Sequence, residues 1–137
     1  IDVSLVGSEM CIRDRSNLYP QESLYDILTL EALADGIMES AVSITYETKL
    51  RPENEQSPSW MEAQWSKVLH AVKALENGEF KSMKGDLNMG QIAVACALGY
   101  LDFRHDARQW RNGHSNLAAW NEKIMELPAL IKTIPTD

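Results

Sequence analysis

Positive charge is in short supply: 13 Lys and Arg stand against 20 Asp and Glu, for a formal net charge of −7. A sequence-independent hold on nucleic acid needs clustered Lys and Arg to displace counterions from phosphates, so that class is excluded. Attraction to an anionic membrane surface fails for the same reason. Long apolar runs are lacking too. The longest, Ile92 to Leu98 with Tyr100 and Leu101 just beyond, falls far short of the ~20 residues that cross a bilayer. No basic start followed by an apolar stretch marks the N-terminus as a secretory signal. Cysteine is limited to Cys11 and Cys96, whose spacing asks for no disulfide framework; the cytoplasm is the expected compartment. His70, His105 and His114 are the only histidines. None lies at a ligand spacing with another histidine or a cysteine, so no metal site is expected.

What remains is an ordinary globular composition, 45% apolar and 24% charged over 137 residues, enough for one domain with a single core. Residues 1–16 do not share its pattern. Ile1 to Ser16 carry no helical period, and the short alternation around Val3 to Val6 is too brief to stand alone as a sheet. The string resembles a translated sequencing adapter and is set aside as a non-native leader. The domain is expected over 17–137.

Leu18-Tyr19-Pro20 reads as a linker ahead of a helix. From Ser23 to about Lys49, Leu24, Ile27, Leu28, Ala34, Ile37, Met38, Ala41 and Ile44 recur at three- and four-residue steps, which predicts a long amphipathic helix. Gly36 interrupts it, and a glycine there suggests close approach by another element. Pro52 and the polar run to Gln56 make a loop. Ser57-Pro58 then caps and starts a second helix, with Trp65, Val68, Leu69, Val72 and Leu75 on one face and Asn77-Gly78 as its stop. Asn88 and Gln91 form a variant capping box before Ile92 to Leu98. That third helix is apolar nearly all round, predicting enclosure by the others, with Cys96 as a small core hydrophobe. A last helix begins near Ser115, carries Leu117, Trp120, Ile124 and Leu127, and breaks or restarts at Pro128. The expected class is all-α.

Three stretches carry a family resemblance. Glu31 to Ile37, Leu87 to Ala93 with Leu98 to Arg104, and Asn116 to Trp120 with Leu127-Pro128 resemble the long first helix, the buried central helix and the closing helix of bacterial cytosolic glutathione transferase C-terminal domains. The likeness runs from Leu18 to Pro135. It departs from the family at Asn88, where Ser or Thr is common, at Gln91, where many members have Asp, and at Ser115, where proline is usual; all keep capping chemistry.

The resemblance implies a two-domain parent that conjugates glutathione to small electrophiles, a detoxifying reaction. A thioredoxin-like N-terminal domain, expected to be absent here, would bind glutathione as co-substrate and activate its thiolate, so no catalytic residue and no cofactor falls to this chain. Its helices would supply an apolar acceptor wall and much of a homodimer interface, and alone it should be inactive. A non-enzymatic docking module of the same fold is the alternative, since the fold also serves that purpose in translation factors and synthetase complexes.

Glu31, Asp35 and Glu39 share one helix face at four-residue steps, where like charges repel by a few tenths of a kcal/mol. By the resemblance, Glu39 and then Asp35 are placed to meet the γ-glutamyl ammonium of glutathione in a neighbouring subunit, while Glu31 is expected to be solvated. Trp60, Trp65, Trp110 and Trp120 read as core or interface anchors. Arg104, Arg108 and Arg111 amid Asp102 and Asp106 read as a salt-bridged surface loop.

Overall fold

A computed structural model describes residues 17–136. Five α-helices follow one another: α1 Leu24–Leu50, α2 Pro58–Glu76, α3 Met89–His105, α4 Ser115–Ile124 and the short α5 Pro128–Ile131, with single 3₁₀ turns in the connections. No strand occurs among the described residues. The all-α expectation holds, and the predicted helix starts fall within a residue or two. The expected leader 1–16 lies outside the described residues.

Two caps work as their sequences predict. Ser57 Oγ accepts from the Trp60 amide (3.4 Å) with Pro58 opening α2, and Gly78 stops that helix at φ +70°. At α3, Asn88 Oδ1 accepts from the Gln91 amide at 3.1 Å. The second half of the expected box is different. Gln91 does not reach back to the Asn88 amide; its Nε2 donates to the Ser82 carbonyl at 2.9 Å, the same oxygen that Asn88 Nδ2 reaches at 2.8 Å. A glutamine carries a donor that the Glu or Asp of an ordinary box lacks, and the buried Ser82 carbonyl claims it.

The core lies between α1 and α3, their closest pairing, with α2 against the other side of α1. Leu30, Ala34, Ile37, Ala41 and Ile44 of α1 meet Val94, Ala97, Leu98 and Leu101 of α3 and Trp65, Val68 and Val72 of α2. Complete burial of a side chain such as Leu98 or Leu101 contributes ~1.5–3 kcal/mol. A smaller cluster of Ala95, Ile124 and Leu130 ties α3 to α4 and α5. Leu28 and Leu69, expected inward, stand 42% and 37% exposed, whereas Leu30 is fully buried.

Two glycine readings change. A Cβ on Gly36 would meet nothing within 4 Å, so no element approaches it closely. The close approach is at Gly90, where a Cβ would lie 2.8 Å from Leu30 Cδ2 and 3.1 Å from the Ile27 carbonyl oxygen. The first turn of α3 thus lies directly on α1. Nor is α3 enclosed all round. Cys96 is exposed, and Ile92, Ala93 and Gly99 are only half-buried, because α1 and α4 cover two faces and leave a third strip open.

Candidate functional site

The open side of the α1–α2 pair carries a groove of about 450 Å³. Helical spacing brings Gly36, Glu39, Ser40 and Ser43 to one face of α1, and Gln64 and Lys67 line it from α2. With no side chain at Gly36, its floor is open. Lys67 Nζ donates to Gln64 Oε1 at 3.3 Å. The groove therefore offers one carboxylate and one ammonium on opposite walls above small residues. Glu39 and Asp35 are both exposed, but only Glu39 lines the groove.

Glu31 departs from the solvated reading. It is half-buried, and both carboxylate oxygens accept from the Tyr19 hydroxyl (3.0 and 3.2 Å). This bond fastens the linker to α1. The backbone adds a second tie, the Met89 amide donating to the Leu18 carbonyl at 3.1 Å. The chain thus enters the domain at the junction of α1 with the start of α3.

Behind the C-terminal half of α1 lies a buried polar cluster that periodicity gave no hint of. His105 Nε2 stands 2.9 Å from the Ala41 carbonyl and 3.2 Å from Thr45 Oγ1. A carbonyl only accepts, so Nε2 carries the proton. Thr45 Oγ1 donates to the same carbonyl at 3.1 Å and accepts from the Tyr100 hydroxyl at 3.0 Å. Desolvation by burial holds the His105 imidazole below its ordinary pKa; the bond to Ala41 opposes this, and the Arg108 charge adds to it. The arrangement clamps α3 to α1.

Cys96 was expected in the core and stands at the surface. Its thiol pKa is nonetheless raised by neighbours that strip away water. A reactive cysteine needs the opposite shift, so exposure gives it no nucleophilic role. Among the described residues no group of three or more His, Cys, Asp or Glu could hold a metal ion.

The arginines do form a salt-bridged surface. Arg111 grips Asp102 with two nitrogens, the Nη2–Oδ2 bond being 2.8 Å, and Trp110 Nε1 donates to the same carboxylate at 2.8 Å. Arg108 reaches Glu62 at 2.9 Å. Trp65 and Trp110 are core residues, whereas Trp60 is 38% exposed. The α4 N-terminus is closed across the fold rather than locally. Glu76 of α2 accepts from the Asn116 amide (3.2 Å), its Nδ2 (2.8 Å) and the Leu117 amide (2.7 Å). Those bonds, that from Leu117 first, pull the Glu76 pKa down.

Comparison with known proteins agrees with this architecture. The model of the glutathione S-transferase C-terminal domain matches residues 58–122. An uncharacterised GST-like protein of Escherichia coli K12, YibF, is 32% identical over 139 residues, spanning 98% of this chain and 64% of that protein. A glutathione transferase family member from Pseudomonas fluorescens Pf-5, solved with S-(propanoic acid)-glutathione bound, superposes with a TM-score of 0.84 at 38% identity, over 88% of this chain and 63% of its own. A glutathione S-transferase from Methylobacillus flagellatus KT with glutathione bound gives 0.80 at 30% identity, over 87% and 61%. The chain thus spans a little under two thirds of these relatives' length. No described helix is long and apolar enough to cross a membrane. Helix order and these relatives agree that the chain has the fold of a glutathione S-transferase C-terminal domain, whose family model matches residues 58–122.

Proposed function

We propose that these helices serve a cytoplasmic, dimeric enzyme that conjugates glutathione to small electrophiles, and that this chain by itself does not catalyse the reaction. The observation that carries the reading is the likeness, at 38% identity and TM-score 0.84, to a relative that holds S-(propanoic acid)-glutathione, a glutathione thioether. Activating the glutathione sulfur requires a nearby donor that favours the thiolate. The one described cysteine has a raised pKa, and the buried hydroxyl and imidazole of Thr45 and His105 are spent on holding α1 to α3. That chemistry is assigned instead to a thioredoxin-like domain joined ahead of Leu18.

The role of this domain is to wall the acceptor site and to meet a second subunit. Glu39, on the groove, is the residue assigned to the γ-glutamyl ammonium of glutathione held by the neighbouring subunit, with Asp35 the next nearest carboxylate along that face. Glu31 is committed to Tyr19 and takes no part.

The test is to restore a glutathione-binding domain ahead of Leu18 and titrate glutathione by calorimetry. Glu39→Gln should weaken binding more than Asp35→Asn, and Glu31→Gln should leave it unchanged. An exposed pair of this kind contributes ~0–1 kcal/mol, so the expected loss is up to about fivefold in Kd. Equal effects at all three positions would remove Glu39 from the site.

A further inference from the structure

Only two asparagines, Asn77 and Asn112, are followed by glycine. That dipeptide is the one from which asparagine most readily loses ammonia. The glycine amide nitrogen attacks the asparagine side-chain carbonyl, and a residue without a Cβ hinders the attack least. Asn77 and Asn112 are both exposed, as are Gly78 and Gly113. By sequence and accessibility the two sites are equal. The fold separates them.

At Asn77-Gly78 the nucleophile is occupied. The Gly78 amide donates to the Leu75 carbonyl at 3.1 Å, and the Asn77 amide to that of Lys73 at 3.0 Å, where α2 closes. Asn77 itself stands at φ −71° and ψ −7°. Ring closure needs Cβ, Cα, C and the glycine nitrogen nearly coplanar, and a tetrahedral Cα holds them far from that at this ψ. Reaction there has to wait for the last turn of α2 to fray.

Asn112-Gly113 lies in the turn between α3 and α4, and its nucleophile is free. Among the described residues the Gly113 amide donates to no acceptor, and the Asn112 side chain makes no hydrogen bond. The turn is held from its flanks instead. The Asn112 amide donates to the Gln109 carbonyl and the His114 amide to the Arg111 carbonyl, both at 3.0 Å. Arg111 grips Asp102, and buried Trp110 donates to the same carboxylate. The reacting pair sits at the tip, with Gly113 at φ +82°, where no bond to the glycine nitrogen must break first.

We propose that Asn112-Gly113 is a self-modification site, at which the folded chain converts Asn112 to isoaspartate and aspartate through a cyclic imide, well ahead of Asn77. The Gly113 nitrogen gives its proton to solvent and bonds to Asn112 Cγ. The Cγ–Nδ2 bond breaks, and ammonia leaves with a proton from water. A second water then opens either carbonyl of the imide. One opening gives aspartate; the other gives isoaspartate, which carries an extra methylene in the main chain. Both add a negative charge next in sequence to Arg111, the cation that holds Asp102. The isoaspartyl form also lengthens the turn that leads into α4.

The experiment holds the 137-residue chain at mildly alkaline pH under native conditions and samples it over time. Proteolytic peptides carrying Asn77 and Asn112 are resolved by liquid chromatography and mass, which separate isoaspartyl, aspartyl and parent forms. Asn112 should convert at least about fivefold faster than Asn77, the factor that one intramolecular hydrogen bond supplies. The same chain in urea should lose that preference, because the Gly78 amide is then free. Asn112→Gln, an exposed change that forces a slower six-membered closure, should remove most of the early ammonia release from the folded chain. Equal rates in the folded chain, or Asn77 reacting first, would overturn the proposal. So would a preference that persists in urea, since neighbouring residues rather than the fold would then set it. Ammonia release undiminished by Asn112→Gln would place the reaction elsewhere and overturn it as well.

Discussion

Asn88→Ala should be among the most damaging single substitutions at the polar end of this domain, and its size can be worked from the contacts. Asn88 is 5% exposed. Its Oδ1 accepts from the Gln91 amide, and its Nδ2 donates to the Ser82 and Asp86 carbonyls. Alanine removes all three bonds. The Ser82 carbonyl keeps a partner, because Gln91 Nε2 still donates to it. The Gln91 amide does not, and Gln91 is itself buried at 5% exposure. Loss of an N-cap costs about 0.5–2 kcal/mol, and a stranded buried donor about 1–3 kcal/mol. These describe one lost bond seen two ways, so the expected total is about 2 kcal/mol. With a urea m-value of ~1–3 kcal/mol/M, the unfolding midpoint should fall by roughly 1 M. Asn88→Ser keeps the acceptor and should recover about half of the cap contribution. Asn88→Asp keeps the acceptor too but turns its second oxygen toward the Ser82 carbonyl, 2.8 Å from the present nitrogen, and should recover less. Equilibrium unfolding followed by far-ultraviolet circular dichroism reads all three. A midpoint that Asn88→Ala leaves unmoved, or that Asn88→Asp restores fully, would refute the reasoning.

Other outcomes follow from the same contacts. Gly90→Ala puts a methyl 2.8 Å from Leu30 Cδ2 and 3.1 Å from the Ile27 oxygen and should destabilise by about 1–3 kcal/mol, whereas Gly36→Ala, with open space around it, should stabilise by ~0.4–1 kcal/mol; the two measured the other way round would mean that α1 and α3 do not meet as described. His105, held below its ordinary pKa by burial, makes stability greatest above the unfolded value of ~6.5 and lowers it as pH falls below that, because the unfolded chain then binds the extra proton. His105→Gln, which keeps a donor for the Ala41 carbonyl, should flatten urea midpoints between about pH 7 and 5.5; equal slopes for both proteins would show that His105 does not govern this range.

The helices were legible because each is written in local chemistry. Ser57-Pro58, Asn88 and Asn77-Gly78 mark ends through bonds to neighbours three or four residues away, and the three-and-four spacing of Ile27, Ala34, Ile37, Ala41 and Ile44 marks a face. What stayed hidden was set by contacts distant in sequence. Nothing near Asn116 reveals that its helix is capped by Glu76, 40 residues earlier. Gly36 and Gly90 are alike as letters, and only the packing of α3 on α1 separates the open position from the crowded one. Cys96 sits in an apolar run, yet two covering helices leave its strip of α3 at the surface. Glu31 and Glu39 share a face in sequence; Tyr19 distinguishes them by occupying one. For the α1–α2 groove, Glu39 was readable only through the family likeness, while Gln64 and Lys67 carried no signal before the two helices were placed side by side.

The central claim is that this domain shapes a glutathione enzyme without containing its glutathione site. It is tested most directly by titrating glutathione into the 137-residue chain in a calorimeter, with conjugation of a chlorinated aromatic acceptor followed alongside. Millimolar binding requires about 4 kcal/mol, and one exposed carboxylate such as Glu39 supplies ~0–1 kcal/mol. The account predicts no measurable heat of binding and no conjugate. Micromolar binding by this chain would contradict it, because the site would then have to lie within these helices.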